Sequence, residues 1–446
     1  MTSASLLKRL ALLYYTQKNN ITIVMMKKNN SFGLVAKRMF IMGGLSLVMA
    51  SCSAQKIVKK DFDVAQKQYS VLLNESKDLT AFPRSIYPDG TMKSTDVWDW
   101  TGGFFPGGLW YIYEYTQKPE WKAAAKQWTE ALEAGKFLTQ HHDVGFVMYC
   151  SYGNAIRSEK DPQKIKAYQD ILIQSAESAL TRYDEKVGLI KSWNPKMSWD
   201  KKTMWQYPVI IDNMMNLEML CYVSKITGNP KYKNVAVSHA TKTMHNHFRD
   251  DYSTYHVVDY DEKTGKVLHQ QTNQGYADNS TWSRGQGWAI YGFTMMYRET
   301  QNPEFLAIAE KAADFYINHP NLPKDKIPYW DFNANQAGYT PEWMYPEYKN
   351  LDYIPRDASA GALVTSALFE LSTFSKSKGK IYFKAAEKML KSLSHKPYLA
   401  QEGGNLGFIL KHSVGSIPHK SEIDVPLIYA DYYFLEALLR YQQLKK

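Results

Sequence analysis

The sequence predicts an all-α fold in which pairs of helices close into a ring. After residue 52, about twelve segments with the 3.6-residue apolar period of a helix follow one another, whereas alternating strand patterns are scarce. A proline recurs where every second helix begins, and in most cases the residue before it is Asp or Asn, a good N-cap. These motifs are Lys118-Pro119, Asp161-Pro162, Asn229-Pro230 and Asn302-Pro303.

The apolar pattern assigns each helix to a layer. A helix that is apolar nearly all round, such as 282–297, is buried, whereas a striped helix such as 303–320 lies outside. Closing the pairs into a toroid buries every inner helix, so we predict a single-domain (α/α)6 barrel over 53–446. An open superhelix of helix pairs is the alternative. The predicted helices lie near 64–76, 100–116, 121–138, 143–158, 163–183, 209–227, 230–248, 282–300, 303–320, 357–375, 379–395 and 425–444.

The first 52 residues are predicted to be an export signal. Two basic residues precede the apolar run 39–49, which is too short to span a membrane and ends in Ala-Ser-Cys. This pattern resembles a bacterial lipoprotein signal, in which Cys52 would carry the lipid. We therefore expect a periplasmic protein whose only membrane contact is a lipid anchor, with a buried first helix and a chance cysteine as the alternative. Cys150 and Cys221 are predicted to be free thiols in buried helices.

The positive charge does not indicate nucleic-acid binding. The formal net charge is +10, but residues 1–52 contain seven Lys and Arg and no acid, which leaves a balance near +3 for the rest. No nucleotide-binding glycine loop, His-Glu-x-x-His or Gly-x-Ser-x-Gly motif is present. His239, His245 and His247 fall on an outer helix, where we expect a solvated face rather than a metal site. No metal or cofactor is expected.

The lengths of the connections predict which face of the ring is functional. Inner-to-outer connections are tight, whereas outer-to-inner connections such as 184–208 and 249–281 are long, and long loops in a compact domain are usually functional. In an alternating ring, these loops share one side with the N-termini of all inner helices. Helix N-termini favour anions, so we predict a site for a negatively charged ligand there.

Acidic residues stand at several of these N-termini. Asp143 and Asp357 would each make a good N-cap, which is the structural alternative to a functional role. Asp212 lies within an apolar helical pattern, where a carboxylate is costly unless it is paired or catalytic. Burial would raise its pKa and suit it to general acid catalysis.

Aromatic residues crowd the same face, and flat rings stack on the apolar faces of sugars. They are Trp98, Trp100, Phe104, Phe105, Trp193, Trp205, Trp282 and Trp288. Any single tryptophan is more often part of a core than a binding platform. Together with two acids and Arg284, they indicate an acidic carbohydrate, and paired carboxylates are the usual machinery of glycoside cleavage.

Six motifs in order along 64–442 resemble the unsaturated glucuronyl hydrolases of glycoside hydrolase family 88. They are Asp99-Trp-Thr-Gly-Gly-Phe-Phe-Pro-Gly, His142-Asp-Val-Gly-Phe, Ile211-Asp-Asn-Met-Met-Asn, Ser253-Thr-Tyr-His, Gln274-Gly-Tyr-Ala-Asp-Asn-Ser-Thr-Trp-Ser-Arg-Gly-Gln-Gly-Trp and Asp431-Tyr-Tyr-Phe-Leu-Glu-Ala-Leu. The resemblance implies an (α/α)6 barrel. It also implies hydration of the C4=C5 double bond that polysaccharide lyases leave on a terminal uronic acid, after which the glycosidic link is lost.

The resemblance also implies roles for individual residues. Asp212 would be the general acid and base, and Asp143 the second essential carboxylate. The implied substrate-binding residues are Trp100, His142, Trp193, His256, Gln274, Arg284 and Trp288, with Arg284 as the partner of the uronate carboxylate. Some relatives recognise sulfated glycosaminoglycan ends through Ser and Lys near the C-terminus, which points to Ser413, Ser416 and Lys420 here, although a flexible basic loop is the alternative.

The predicted function is removal of an unsaturated glucuronic acid from lyase-generated oligosaccharides, with glycosaminoglycan disaccharides favoured and marine polysaccharide fragments still open. An unsaturated rhamnogalacturonyl hydrolase or a sugar epimerase on the same toroid is one alternative. The motifs at His142-Asp143 and Ser253 to His256 argue against both. A non-catalytic glycan-binding lipoprotein is the other alternative, and it has no need for Asp212. We expect a monomer or weak dimer.

Overall fold

The computed structural model describes the backbone of residues 32–342 and 353–445, and the side chains from residue 54 onward within those ranges. The chain divides into two compact units, Met1–Gln55 and Lys56–Lys446. Every helix within the described ranges is too short or too polar to be a membrane span. The side chain of Cys52, the predicted lipid attachment site, lies outside the described residues.

Outer and inner helices alternate along the chain. In chain order they are α1 (Phe32–Glu75), α2 (Phe104–Thr116), α3 (Pro119–Glu130), α4 (Val144–Met148), α5 (Asn154–Ser158), α6 (Pro162–Leu180), α7 (Leu217–Thr227), α8 (Pro230–Asn246), α9 (Ser283–Thr300), α10 (Pro303–Asn318), α11 (Ala358–Phe374), α12 (Gly379–Leu393) and α13 (Ile428–Leu444). A π-helical turn, Tyr149–Gly153, joins α4 to α5, so these two form one interrupted inner helix. Short 3-10 helices occupy Glu133–Phe137, Ile211–Asn216 and Asn405–Gly407.

The inner helices form a closed ring. α2 contacts α13, α13 contacts α11, α11 contacts α9, and α9 contacts α7, while the π-helical turn touches both α7 and α2. Most of α13 and most of α9 are buried, as expected for helices that are apolar all round. The predicted (α/α)6 barrel is therefore confirmed, and the open superhelix is excluded because α2 and α13 meet.

The proline motifs begin the outer helices as predicted. The side chains of Asp161, Asn229 and Asn302 accept hydrogen bonds from backbone N–H groups two residues later, at 2.9, 3.0 and 3.0 Å. In each case proline follows at the first helical position, where its missing N–H costs nothing. These caps fix where each outer helix starts and keep the inner-to-outer turns short.

Short strands occupy the long connections, all of them between an outer helix and the next inner helix. The strands are Phe82–Ile86, Met92–Thr95, Tyr183–Asp184, Leu189–Ile190, Lys196–Met197, Met204–Trp205, Pro208–Ile210, Val257–Tyr260, Val267–Gln271, Ser413–Ser416 and Ser421–Val425. Most pair as two-stranded antiparallel sheets, and one sheet has three strands. The sequence analysis missed them because two to five residues are too few to establish a period of two.

The predicted inner helix 209–227 begins later than expected. Residues Pro208–Ile210 form a strand that pairs with Val257–Tyr260, so the backbone is extended up to Ile210. A 3-10 turn, Ile211–Asn216, then leads into α7. Asp212 consequently lies in this turn at the rim of the ring, and the prediction that it sits inside an α-helix is wrong.

The prediction of a solvated histidine face on α8 is also wrong for two of its three residues. His239 and His247 are fully buried, whereas His245 is exposed. Nδ1 of His239 accepts a hydrogen bond from the backbone N–H of Ile190 at 3.0 Å, and Nε2 of His247 lies 3.1 Å from the carbonyl of Val209. Both rings therefore support the strands that lead to Asp212. Cys150 and Cys221 are free thiols, of which Cys221 is buried and Cys150 partly exposed.

Candidate active site

Close contact between two chain segments brings the predicted acids to one rim of the barrel. Asp143 immediately precedes α4, and Gly145 lies against the 3-10 turn that carries Asp212. A Cβ on Gly145 would stand only 2.6 Å from Cα of Asn216, so this approach requires glycine. The amide oxygen of Asn216 also accepts a hydrogen bond from the backbone N–H of Phe146 at 3.0 Å. The two segments are thus fixed relative to each other.

Asp143 is held between two histidines. Nδ1 of His141 lies 3.1 Å from one of its carboxylate oxygens, and Nε2 of the buried His142 lies 3.1 Å from the other. Its side chain makes no cap hydrogen bond to α4, so the N-cap alternative is excluded. Burial works against its charge, but the adjacent His142 and His141 outweigh burial and hold the pKa of Asp143 below its ordinary value. Asp143 is therefore ionised near neutral pH.

Asp212 has the opposite electrostatic character. Burial raises the pKa of its carboxyl to about 8, and the negative charge of Asp143 adds to the shift. Arg284 and Trp288 oppose the shift without cancelling it. One carboxyl of the pair is therefore protonated near pH 7 while its neighbour is ionised, which is the arrangement that separates an acid from a charge-stabilising group.

His256 faces Asp212 with its Nε2, 3.6 Å from a carboxyl oxygen. Its Nδ1 accepts hydrogen bonds from the backbone N–H groups of Asn273 and Gln274, at 3.0 and 3.1 Å. Nδ1 must therefore be unprotonated, and the proton of the neutral ring sits on Nε2. Burial lowers the pKa of His256 well below its ordinary value, so the ring stays neutral. It presents a fixed N–H donor to the site.

Three buried polar atoms around the acid make no hydrogen bond to any residue that the structure describes. They are Oδ2 of Asp212, Nε2 of His256 and Nε1 of Trp288. Buried polar groups are almost always paired in folded proteins, and exceptions call for an explanation. A polar ligand that bonds to these three groups would provide one.

Aromatic rings surround this group of atoms. Trp100 is half-buried against Phe104, Phe146 and Tyr429, with ring centroids 4.8–5.7 Å apart. Trp288 is 1% exposed. Trp193 is half-buried, and its ring meets that of His256 edge-on at 6.2 Å. The structure therefore brings Trp193 next to His256.

Arg284 is buried and already has a partner. Its Nη1 donates to Asp357 at 2.8 Å and to the carbonyl of Val414, and its Nη2 donates to the carbonyl of Gly415 at 2.7 Å. Asp357 also caps α11 through the N–H groups of Ser359 and Ala360, as its N-cap interpretation predicted. The Arg284–Asp357 pair was missed because each motif was interpreted separately. Nε of Arg284 makes no hydrogen bond to any described residue.

The three C-terminal residues predicted to bind sulfate have different surroundings. Ser413 is fully buried and Lys420 is exposed. The hydroxyl of Ser416 lies 2.6 Å from Nδ1 of His419. Their strand, Ser413–Ser416, borders the acid site because the carbonyl of Gly415 accepts hydrogen bonds from both Arg284 and Gln274. Among the described side chains, no group of three or more His, Cys, Asp and Glu is arranged to hold a metal.

An (α/α)6 barrel whose loop-bearing rim carries a protonated carboxyl within the electrostatic influence of an ionised one has the paired acids that glycoside hydrolases use. The family model for Glycosyl Hydrolase Family 88 matches residues 74–436. The chain belongs to this family.

Similar proteins span most of the chain. A protein of Formosa agariphila named unsaturated glucuronyl hydrolase is 44% identical over 411 residues, covering 90% of this chain and 96% of that protein. An unsaturated chondroitin disaccharide hydrolase of Streptococcus pyogenes serotype M1 is 30% identical, covering 87% and 92%. The crystal structure of an unsaturated glucuronyl hydrolase specific for heparin is 45% identical, with a TM-score of 0.79, covering 87% of this chain and 98% of that one.

Proposed function

We propose that this enzyme removes a 4,5-unsaturated glucuronic acid from the non-reducing end of oligosaccharides produced by polysaccharide lyases. The observation that carries the proposal is the protonated carboxyl of Asp212 beside the ionised carboxyl of Asp143. The unsaturated sugar is an enol ether, and its hydration begins with a proton. A carboxyl with a pKa of about 8 holds that proton at neutral pH.

The two acids have different roles in the proposed reaction. Asp212 gives its proton to C4, and the electrons of the double bond form the new C–H bond. The positive charge left on C5 and the ring oxygen is stabilised by ionised Asp143. Water then adds to C5 and returns a proton to Asp212, which restores the acid. The resulting hemiketal opens, and the bond to the neighbouring sugar is lost.

Glycosaminoglycan disaccharides are the substrate class that the relatives favour. One relative is described as specific for heparin and another as acting on unsaturated chondroitin disaccharides. Both polymers yield an unsaturated uronate linked to an amino sugar when lyases cleave them. The buried aromatic and polar groups around Asp212 suit an acidic sugar ring of this kind.

A panel of lyase-generated disaccharides tests the proposal through loss of the ultraviolet absorbance of the double bond. We expect turnover of unsaturated chondroitin or heparin disaccharides and none of an unsaturated galacturonyl-rhamnose disaccharide. Turnover of the rhamnose-linked substrate alone would instead support a rhamnogalacturonyl hydrolase. Binding without turnover on the whole panel would support the non-catalytic glycan-binding alternative.

We also propose that the mature protein is anchored in the periplasm by a lipid on Cys52, on the strength of the basic, apolar and Ala-Ser-Cys segments before it. Expressed with a clickable fatty-acid analogue, the full chain is expected to carry the label and to sediment with membranes. Cys52→Ala should lose the label, whereas the matched control Cys150→Ala should keep it. Label that persists in Cys52→Ala would refute the anchor.

A further inference from the structure

A lysine on an inward-facing position of a hairpin stands next to the site. The strands Lys196–Met197 and Met204–Trp205 pair so that Lys196 lies opposite Trp205, and Met197 opposite Met204. Opposed residues of an antiparallel pair share one face of the sheet. Trp205 is fully buried, whereas Met197 and Met204 are each 44% exposed. Lys196 therefore projects from the side of the hairpin that faces the protein.

The charge of Lys196 is not neutralised. Its Nζ donates to the amide oxygen of Asn273 at 3.1 Å and lies 4.8 Å from the centre of the Trp193 ring. It forms no ion pair with any described side chain, and burial lowers its pKa. A partly buried ammonium with only a neutral amide and a ring as partners favours binding of an anion.

A chain of contacts relates Lys196 to the reacting acid. Lys196 bonds to Asn273, the N–H of Asn273 bonds to His256, and Nε2 of His256 faces Asp212. Along this chain of contacts, His256 lies between Lys196 and Asp212. Trp193 contacts both Lys196 and His256. When Asp212 protonates the terminal unsaturated uronate, the sugar within reach of Lys196 would be the next one in the oligosaccharide and not the uronate.

The residues opposite the hairpin are polar and close. Trp199, on the same hairpin, donates its Nε1 to the carbonyl of Asn273 at 2.8 Å and meets the ring of His419 edge-on at 4.6 Å. The hydroxyl of Ser416 is engaged by His419, and Ser413 is fully buried. Lys196 is held in place beside these groups by a ring and an amide.

We infer that Lys196 binds a sulfate group on the sugar that follows the unsaturated uronate, and so sets the preference for sulfated substrates. The inference rests on the proposed function. An ammonium–sulfate contact is a charge-assisted hydrogen bond, and its loss lowers binding by about tenfold or more.

The test uses unsaturated disaccharides of both chondroitin and heparin, and in whichever series the wild type turns over it compares the unsulfated disaccharide with forms carrying one sulfate on the amino sugar. For each enzyme, the ratio of kcat/KM for the best sulfated form to kcat/KM for the unsulfated form is measured. Lys196→Gln is expected to lower this ratio about tenfold, chiefly through KM, and added salt should lower it in wild type. The matched control is Lys202→Gln, which removes a charge from the exposed tip of the same hairpin and should keep the wild-type ratio.

Three outcomes overturn the inference while leaving the proposed function intact. They are wild-type turnover of the unsulfated disaccharide with none of the sulfated forms, an equal loss on both substrates in Lys196→Gln, and an equal change of the ratio in Lys202→Gln. Failure of wild type on every disaccharide would instead refute the proposed function itself.

Discussion

Asp212→Asn is expected to lower kcat by at least about a thousandfold on an unsaturated disaccharide, because the amide has no acidic proton to give to the double bond. Neither the charge of Asp143 nor the N–H of His256 replaces that proton. The measurement is the initial rate of absorbance loss at saturating substrate, near pH 7. The matched control is Asp250→Asn, which changes an exposed acid outside the site described above and should retain wild-type kcat.

The same substitution should raise Tm. The pKa of the Asp212 carboxyl is about 8 in the folded state and near 4 in the unfolded state. The contribution of this group to the stability of the folded state is therefore fully present only below about pH 4. That contribution is lost progressively as pH rises from about 4 to about 8, because the unfolded state is ionised in this range while the folded state keeps the proton, and it changes no further above pH 8. Asn removes this pH-dependent cost, so Tm at pH 8 should rise by about 1–2 °C.

An Asp212→Asn protein that folds and turns over substrate at more than a few per cent of the wild-type rate would disprove the assignment of Asp212 as the acid.

Asp143→Asn is expected to lower kcat/KM by about a hundredfold, because a neutral amide no longer stabilises positive charge at C5. The substitution should also shift the dependence of kcat/KM on pH. We expect the wild-type enzyme to lose activity as pH rises through about 8, where Asp212 would give up its proton. Because the charge of Asp143 raises the pKa of Asp212, its removal should shift this alkaline limb to lower pH.

The profile of Asp143→Asn is measured as kcat/KM against pH beside wild type, with far-ultraviolet circular dichroism as the folding check. A variant that is slower but has an unmoved alkaline limb would show that the two carboxyls are not coupled. A limb that moves to higher pH would contradict the sign of the coupling.

The ring could be predicted from the sequence because its determinants are local. Asp161, Asn229 and Asn302 mark helix starts by themselves, and the contrast between striped and wholly apolar helices separates the layers. The strands could not, because a two-residue strand such as Leu189–Ile190 exists only through its partner. The late start of α7 has the same cause, since Ile210 is held extended by its pairing with Val257.

The acids of the site could be predicted because each lies beside the start of an inner helix, and the closed ring brings those starts together. The pairs that side chains of the site form with one another could not be predicted. Arg284 and Asp357 are separated by 73 positions, and only the packing of α9 against α11 joins them. Likewise, the inward direction of Lys196 depends on the register of its hairpin. The burial of His239 and His247 depends on strands that are too short to be recognised from the sequence.

The central claim is that Asp212 holds a proton at neutral pH beside an ionised Asp143. Infrared difference spectroscopy between wild type and Asp212→Asn at pH 7 tests it most directly, since the carboxyl stretch distinguishes the protonated from the ionised form. We expect wild type to contain one protonated-carboxyl band that the variant lacks and that fades as pH rises through about 8. Loss of an ionised-carboxylate band instead would contradict the claim.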